Sequence, residues 1–250
     1  MAVEWYLMNK TTLGGYEEGD LSWQRQTFET DVLGSSLAKD VQLYQDKITN
    51  EPIMIRALVQ DMVTDAQTKS YLRTVLCNIG TLDCGYYLYF DNRWWMVISL
   101  VDNNTVYEKC VLQYCNYTIR FRVPLTDTIV EYPVPTINST QYNSGEEWRD
   151  RMIAVSSQRI MYLPYNEETI YVDNNFRLLM DKNDKLPTAW KVSQVDSESY
   201  AFGEKGLIRW TLMEDRLRDS DDVENMIADN NRFDEIKSDN PVQNAEGWGL

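Results

Sequence analysis

Apolar and polar residues alternate along much of the chain, and the apolar runs are densest between Gly85 and Arg122. There, apolar runs at residues 86–90 and 94–100 are separated by the polar tripeptide 91–93. Strands of about six to eight residues joined by short polar turns are typical of antiparallel hairpins, because Asn and Asp tolerate left-handed backbone conformations. The pattern predicts a β meander that closes into a small barrel or sandwich.

Further segments with strand character flank this region. Residues 53–59 show the period of two that marks a half-buried strand, and residues 73–79 resume it after a polar link. Five later segments are also predicted to be strands: residues 159–163, 170–172, 176–180, 190–195 and 207–212. Gly203-Glu204-Lys205-Gly206 precedes the last of them and is typical of a hairpin turn. The expected fold class is therefore mainly β.

Both ends of the chain differ from this core. The first 35 residues are punctuated by glycines and predict an irregular arm, although their aromatic side chains require something to pack against. Residues 36–46 fit a short helix, and residues 41–44 also fit a strand. Residues 214–250 predict an acidic tail that is mobile or ordered only against a partner. The aromatic residues of the two ends are the candidate contacts with a neighbouring subunit or partner: Trp5, Tyr6, Tyr16, Trp23, Phe28, Phe233 and Trp248.

The loose stretch between residues 133 and 150 contains two prolines and a polar run, which makes it the best candidate for a domain boundary. The sequence thus divides into an N-terminal arm at 1–40, a β-barrel-like domain at 41–132, a linker or excursion at 133–150, a second β portion packed on the first at 151–213, and an acidic C-terminal tail at 214–250.

Composition removes several classes of function. The 250 residues include no histidine, which excludes Ser-His-Asp and Cys-His nucleophiles and histidine-bound zinc. The 24 basic and 39 acidic side chains give a net charge of −15, which disfavours binding to a phosphate backbone or to an anionic membrane. No apolar run reaches the roughly 18 residues of a membrane span, and the start lacks the basic part of a signal peptide. We therefore expect a soluble protein made in the cytoplasm.

The charge is unevenly distributed. Residues 1–66 carry 11 acidic and 5 basic side chains, residues 214–250 carry 11 and 4, and the middle of the chain is nearly neutral. One interpretation is that acidic ends keep the chain solvated. The other is that they line a surface that must not bind polyanions, or that they dock onto a basic partner.

Candidate chemistry is sparse. The cysteines Cys77, Cys84, Cys110 and Cys115 lack the spacing of zinc-binding pairs and lie in or beside apolar strand patterns, so we expect buried, reduced thiols. Residues 219–222 resemble part of a calcium-binding loop, but the glycine and glutamate that such a loop needs do not follow in register. We expect no catalytic residue, no metal and no cofactor, and hence a protein that is not an enzyme.

Several stretches together resemble a known protein family. They are Arg56-Ala57-Leu58-Val59-Gln60-Asp61-Met62, Lys69-Ser70-Tyr71-Leu72-Arg73, the hairpin from Gly85 to Val97, Tyr107-Glu108-Lys109 followed by Tyr114-Cys115-Asn116, and Lys191-Val192 through Gly203-Glu204-Lys205-Gly206. In these features the chain is similar to the head-closure or connector proteins at the head-to-tail junction of tailed bacteriophages. The similarity covers about residues 50–215 and rests on strands and turns rather than on an active-site signature.

The resemblance implies a virion structural protein of the neck, made in the host bacterial cytoplasm. It implies a β-barrel-like core that assembles as a homo-oligomeric ring, in contact with the portal or adaptor protein and with tail proteins. Double-stranded DNA would pass through this ring without being read, and an acidic lining would repel it. Aromatic side chains suit contacts between identical neighbours.

Two other classes of function are compatible with parts of the sequence. The many Tyr and Trp residues would suit a carbohydrate-facing surface on another phage tail or baseplate module, because aromatic rings stack on sugars. The charge alone would suit an acidic mimic of DNA, but the aromatic-rich β core is larger than such a mimic needs. Core and interface packing is the favoured interpretation of the aromatic residues.

Overall fold

The computed structural model describes residues 16–64, 67–124, 126–138, 158–181, 187–202 and 205–230. These residues are mainly β, as the patterning predicts. The chain divides into two compact units. The first runs to Cys115 and takes in Phe202–Gly206, and the second comprises the rest from Asn116 onward.

The first unit begins with a helical segment. Helix α1 (Tyr16–Thr27) continues into a π-helical segment (Phe28–Leu33), so the predicted irregular arm is wrong over these residues. Gly19 lies within the helix, where a glycine costs about 1 kcal/mol relative to alanine. Burial of Phe28 and Leu33 offsets that cost, which the sequence pattern could not show. The strands of this unit are β1 (Ala38–Tyr44), β2 (Ile53–Thr64), β3 (Gln67–Cys77), β4 (Tyr87–Phe90), β5 (Arg93–Val97), β6 (Asp102–Asn103) and β7 (Glu108–Tyr114).

Six of these strands form a closed antiparallel barrel. Their order is β3-β2-β1-β4-β5-β7, and the ring closes because β7 also pairs with β3. This closing pair runs from Leu72 opposite Gln113 to Cys77 opposite Glu108. The short strand β6 pairs with β7 as well. The predicted barrel is confirmed, and its closure pairs strands that would otherwise be sheet edges.

The barrel interior is filled by side chains. Val41, Leu88 and Leu112 are fully buried there, and Trp95 stacks on Phe90 with 5.4 Å between the ring centroids. A barrel of this size has room for side chains and not for a channel. Its interior is therefore a core.

Two local predictions for this unit are confirmed. The hairpin between β4 and β5 turns at Asp91 and Asn92, whose φ angles of 50° and 58° lie in the left-handed region that these residue types tolerate. All four cysteines are buried and free of disulfide bonds.

A buried carboxylate ties a loop to the barrel. Glu108 is 6% exposed, and its side chain accepts hydrogen bonds from the backbone N–H groups of Gly80, Thr81 and Leu82 at 2.6, 3.1 and 3.2 Å. Gly80 has a φ of 78°, a conformation that other residues rarely adopt. The loop before β4 is thus fixed by one anion that binds three successive N–H donors.

The described residues after Cys115 form strands β8 (Tyr117–Arg122), β9 (Ile129–Val134), β10 (Thr136–Asn138), β11 (Gln158–Pro164), β12 (Arg177–Met180), β13 (Thr188–Asp196), β14 (Ala201–Phe202) and β15 (Lys205–Asp215). Strands β8 and β9 pair as a hairpin. The others form an antiparallel sheet in the order β10-β11-β15-β13-β12, with β14 beside β15. Phe121 of β8 packs edge-on against Phe176 and Trp210, with 5.8 Å between the centroids in each pair.

One predicted strand in this unit is wrong. Residues 170–172 lie in a turn, because local side-chain hydrogen bonds compete with strand pairing. Asn166 Oδ1 accepts from the backbone N–H groups of Glu168 and Thr169, both at 3.0 Å, and Thr169 Oγ1 donates to the carbonyl of Pro164 at 2.7 Å. The other predicted strands are confirmed with shifted ends: residues 159–163, 176–180, 190–195 and 207–212.

Candidate interaction surfaces

The helical segment before β1 is anchored to the barrel by packing and by hydrogen bonds. Phe28 is 6% exposed and stacks on Tyr107 with 5.1 Å between the ring centroids. Arg56 on β2 donates hydrogen bonds to the carbonyls of Leu33 and Ser35. Phe28 is therefore a packing residue of the first unit, and the segment that carries it has a defined position.

Trp23 lies on the anchored helix and is 63% exposed. Two residues later, Arg25 donates a hydrogen bond to the carbonyl of Thr105 at 2.6 Å, which holds this part of the helix on the barrel unit. A large aromatic side chain on a fixed support is typical of a contact residue, since little conformational entropy is lost when it is covered.

The other candidate aromatic residues fall outside what can be described. Tyr16 is the first residue of α1, but its side chain is not among those described. Trp5, Tyr6, Phe233 and Trp248 lie outside the described residues.

Strongly exposed apolar side chains are concentrated on the first unit. Among the described residues, four large apolar side chains are more than 60% exposed: Trp23, Leu37, Met54 and Leu100. All four belong to the barrel unit: Trp23 is on α1 and Met54 on β2, whereas Leu37 and Leu100 lie in the connections before β1 and β6. In the second unit, the most exposed large apolar residue described is Ile129, at 56%. The sequence pattern did not single out Leu37, Met54 or Leu100.

An aromatic cluster on the barrel bears on the carbohydrate hypothesis. Cross-strand neighbours Tyr89 and Trp94 lie 4.8 Å apart between ring centroids, and Tyr44 lies 5.0 Å from Trp94. Their ring planes are tilted by 51° and 58°, so the rings pack on one another rather than forming one flat face. Mutual tilting is the preferred geometry of aromatic packing. The cluster therefore favours the packing interpretation.

A buried guanidinium organises the end of the second unit. Arg177 on β12 is 2% exposed, and each of its five N–H groups has an acceptor. Asp215 and both oxygens of Asp221 receive three of them, at 2.9, 2.6 and 3.0 Å. The carbonyls of Arg216 and Asp229 receive the others. The side chain of Asn230 also binds the backbone N–H and carbonyl of Arg177.

This arrangement sets the protonation of its members. Burial alone would raise the pKa of Asp221, but hydrogen bonds from Arg177 and from the backbone N–H groups of Asp229 and Arg218 lower it below its ordinary value. The pKa of Asp215 is lowered in the same way, by hydrogen bonds from Arg177 and the backbone of Arg216 that outweigh burial. The three side chains are thus a charged cluster with a packing role.

The prediction of a mobile or partner-dependent tail is wrong as far as residue 230. The segment is ordered within its own chain, because Arg177 binds its acidic residues and because Ile227 and Ala228 are buried. Sequence reasoning missed this because Arg177 lies in an apolar strand, where a single cation gives no sign of its partners. Asp215 and Asp221, two acidic residues of the predicted tail, thus accept hydrogen bonds from the buried Arg177.

The calcium-like fragment at residues 219–222 has a different explanation. Its central residue, Asp221, binds Arg177 through both carboxylate oxygens. Across the described part of the chain, no group of three or more His, Cys, Asp or Glu side chains is placed to hold a metal ion.

Among the helices that the structure describes, none is long and apolar enough to cross a membrane.

Comparison with known proteins yields one match. Residues 22–114 match the family model of the YomX N-terminal domain, a phage-derived, SPbeta prophage-like protein family. No curated protein and no solved structure matches the chain. The matched range covers less than half of the chain, but it spans the second half of α1, the π-helical segment and all six barrel strands. Over its barrel unit, the chain is therefore similar to a phage-associated domain.

Proposed function

We propose that the protein is a structural component of a tailed-phage particle, a ring-forming subunit of the neck through which DNA passes between head and tail. The observation that carries this proposal is the coincidence of the phage-associated match with the barrel unit. The most exposed large apolar side chains described also lie within the matched range. The domain that links the chain to phages is thus also the domain with surface suited to protein contacts.

Packing of the barrel explains why a ring is required. Fully buried residues such as Val41 and Leu112 fill the interior of the barrel, so the barrel itself has no passage for DNA. A passage can arise only between subunits arranged around an axis, through contacts that repeat from each copy to the next. The net charge of −15 would keep such a passage from adhering to DNA, because phosphates would be repelled.

In this proposal the protein assembles with portal or adaptor and tail proteins and carries out no reaction. The buried titratable groups of the described chain support this, since they have packing roles. Glu108 binds three backbone N–H groups, and Asp221 binds Arg177. Burial raises the pKa of the thiols of Cys77 and Cys84 to about 12, which disfavours their reactive thiolate form.

Deletion of the gene from the phage or prophage that encodes the chain tests the proposal. We expect DNA-packaging heads and free tails that do not join, seen by negative-stain electron microscopy of lysates. Plasmid-borne wild-type protein should restore complete particles. Gold-coupled antibodies against the barrel unit should label the head-tail junction of complete particles and should not label the deletion lysate.

Two outcomes would contradict the neck assignment. Complete particles that assemble without the protein but fail to adsorb to host cells would favour the tail or baseplate alternative with a carbohydrate-facing surface. Complete, infectious particles that lack the protein would remove it from the virion altogether.

A Trp23→Ala variant supplied from the plasmid, compared with wild type, would show whether the exposed tryptophan contributes to assembly.

A further inference from the structure

A charged residue occupies the core face of strand β11. Residues two apart on a strand share a face, and Arg159 is therefore in line with Met161 and Leu163, both of which are fully buried. Directly opposite Arg159 lie Asn138 on β10 and Leu212 on β15. A position at which the strand pattern calls for an apolar side chain thus holds a guanidinium.

This guanidinium is held against an aromatic ring. Its Cζ atom lies 4.2 Å from the centroid of the Trp190 ring, and Trp190 is 3% exposed. Stacking fixes the plane of the fork and leaves the N–H groups at its edge available to an acceptor. Within the described residues, the side chain of Arg159 has no hydrogen bond and no ion pair. By contrast, Arg122 of the same unit, which is more exposed, is paired with Asp127 at 2.9 Å.

Arg159 lines a cleft of about 410 Å³ in the second unit. Thr136 lines it too, and its hydroxyl oxygen is buried with no hydrogen-bond partner among the described residues. Asn116 fixes the main chain beside that hydroxyl, since it accepts from the backbone N–H of Thr136 at 2.7 Å and donates to its carbonyl at 2.9 Å. The cleft therefore presents hydrogen-bond donors on a main chain that is held in place. Buried polar groups without partners indicate that an acceptor is missing.

We propose that this cleft binds a carboxylate of an acidic polypeptide segment. Arg159 donates two parallel hydrogen bonds to the carboxylate oxygens, a geometry that the planar fork matches, and the Thr136 hydroxyl donates a third. The charge balance favours a carboxylate over a phosphate. Asp181 lines the same cleft, and the chain as a whole carries −15, so a single negative charge is accommodated better than two or a nucleic acid backbone.

Binding of acetate to the purified full-length protein tests the site. Acetate is titrated against sodium chloride at equal ionic strength, and the arginine Nε–H signals are followed by NMR. We expect a saturable shift of the Arg159 signal. We expect acetate affinity to fall about tenfold or more in Arg159→Gln, because a charge-assisted hydrogen bond is lost. Arg159→Lys keeps the charge but not the planar fork, and it should lose part of the affinity.

Arg93 provides the matched control. Its guanidinium lies over the ring of Tyr114, 5.9 Å from the ring centroid, but Arg93 is exposed and does not line the cleft. Arg93→Gln should therefore leave acetate binding unchanged. Equal binding by wild type and Arg159→Gln, or an equal loss in Arg93→Gln, would overturn the proposal. Inorganic phosphate that binds through Arg159 more tightly than acetate would also overturn it, because the ligand class would then be wrong.

A peptide titration distinguishes the possible sources of the carboxylate. Residues 231–250 carry the carboxylates of Asp234, Glu235, Asp239 and Glu246, so a synthetic peptide of this range is a suitable probe. Arg159-dependent binding of this peptide more tightly than acetate would assign the site to a segment of the same protein, in the same or a second copy. Acetate binding without peptide binding would assign the site to a carboxylate from outside residues 231–250. Neither measurement depends on particle assembly, so the neck assignment and this site can fail separately.

Discussion

The two units of the molecule are stabilised in different ways. The barrel unit closes on itself and fills its interior with apolar and aromatic side chains such as Leu88 and Trp95. The second unit contains an apolar core as well, but its last described segment is held by the buried cation Arg177 and the carboxylates of Asp215 and Asp221. When a side chain of an apolar core is truncated, the loss of stability grows with the volume that is removed. When one member of a buried ion cluster is removed, its partner is left as an unpaired charge and the cluster no longer stabilises the fold.

The two units also differ in which side chains they expose and which they bury. The barrel unit carries the described apolar side chains that are more than 60% exposed and the phage-associated match. The second unit places its distinctive charges inside, at Arg177 and, beside a cleft, at Arg159.

The largest effect is expected from Arg177→Met. Removing the cation leaves the buried carboxylate of Asp221 and the partly exposed carboxylate of Asp215 without their partner, which should cost about 3–5 kcal/mol of unfolding free energy. Urea unfolding followed by NMR of the Met180 methyl group measures it in the second unit. The matched control is Arg120→Met, which removes an ion pair with Glu131 that is about half exposed, and should cost at most about 1 kcal/mol. Equal effects of the two substitutions would contradict the ion-cluster account.

A somewhat smaller loss is expected in the barrel. Leu88→Ala removes a fully buried side chain and should cost about 2–5 kcal/mol, depending on how far the interior relaxes. The Met96 methyl signal in the same urea titration reports on this unit. The control, Met54→Ala, truncates a side chain that is 62% exposed and should change stability by less than about 0.5 kcal/mol. A barrel that loses less from Leu88→Ala than from Met54→Ala would not have the packed interior described.

The units should respond to pH in opposite directions. The pKa values of Asp215 and Asp221 are lowered on folding, so their contribution is present above the ordinary value of about 3.9 and is lost as the pH falls through the lowered values. Burial raises the pKa of Cys77 and Cys84 to about 12, so their contribution is present below the ordinary thiol value and is lost as the pH rises toward 12.

We therefore expect acid to destabilise the second unit first and alkali to destabilise the barrel first. Urea midpoints from the Met180 and Met96 methyl signals, measured across pH, check both directions. Arg177→Met should flatten the acid limb at Met180 and leave the alkaline limb at Met96 unchanged. Parallel pH profiles for the two probes in the wild-type protein would contradict the assignment.

The smallest effect is expected from Trp23→Ala. This side chain is 63% exposed, so its truncation should change the unfolding free energy by less than about 0.5 kcal/mol. The same truncation at Phe28 removes a ring stacked on Tyr107 and should cost several times more. Differential scanning calorimetry of the two variants compares them. A large loss at Trp23 would mean that the residue packs within its own chain and is not a free contact residue.

Local features of the fold were predictable because their causes lie close together in sequence. The β4–β5 hairpin was predictable from Asp91 and Asn92, and the strand pattern of β2 from its period of two. The pair of strands that closes the barrel was not, because β3 pairs with β7 and the intervening residues give no sign of that partner. The helical segment was missed because glycines were taken as helix breakers, although burial of Phe28 and Leu33 holds the segment together.

The candidate contact residues were only partly predictable. The aromatic content singled out both Trp23 and Phe28. Trp23 is exposed, whereas Phe28 is buried because it stacks on Tyr107, a residue distant in sequence. The charges at Arg177 and Arg159 each interrupt an apolar strand pattern, which is a signal in the sequence. What each charge meets depends on residues from other strands, and a single sequence does not specify those pairings.

Closure of the barrel also has a consequence for synthesis on the ribosome. Strand β3 ends at Cys77, but the strand that covers its far edge begins at Glu108, about 30 residues later. At roughly 5–20 residues per second, translation leaves that edge unpaired for about two to six seconds. During this interval the nascent chain presents an open strand to its neighbours on the same message, which is a route to misassembly.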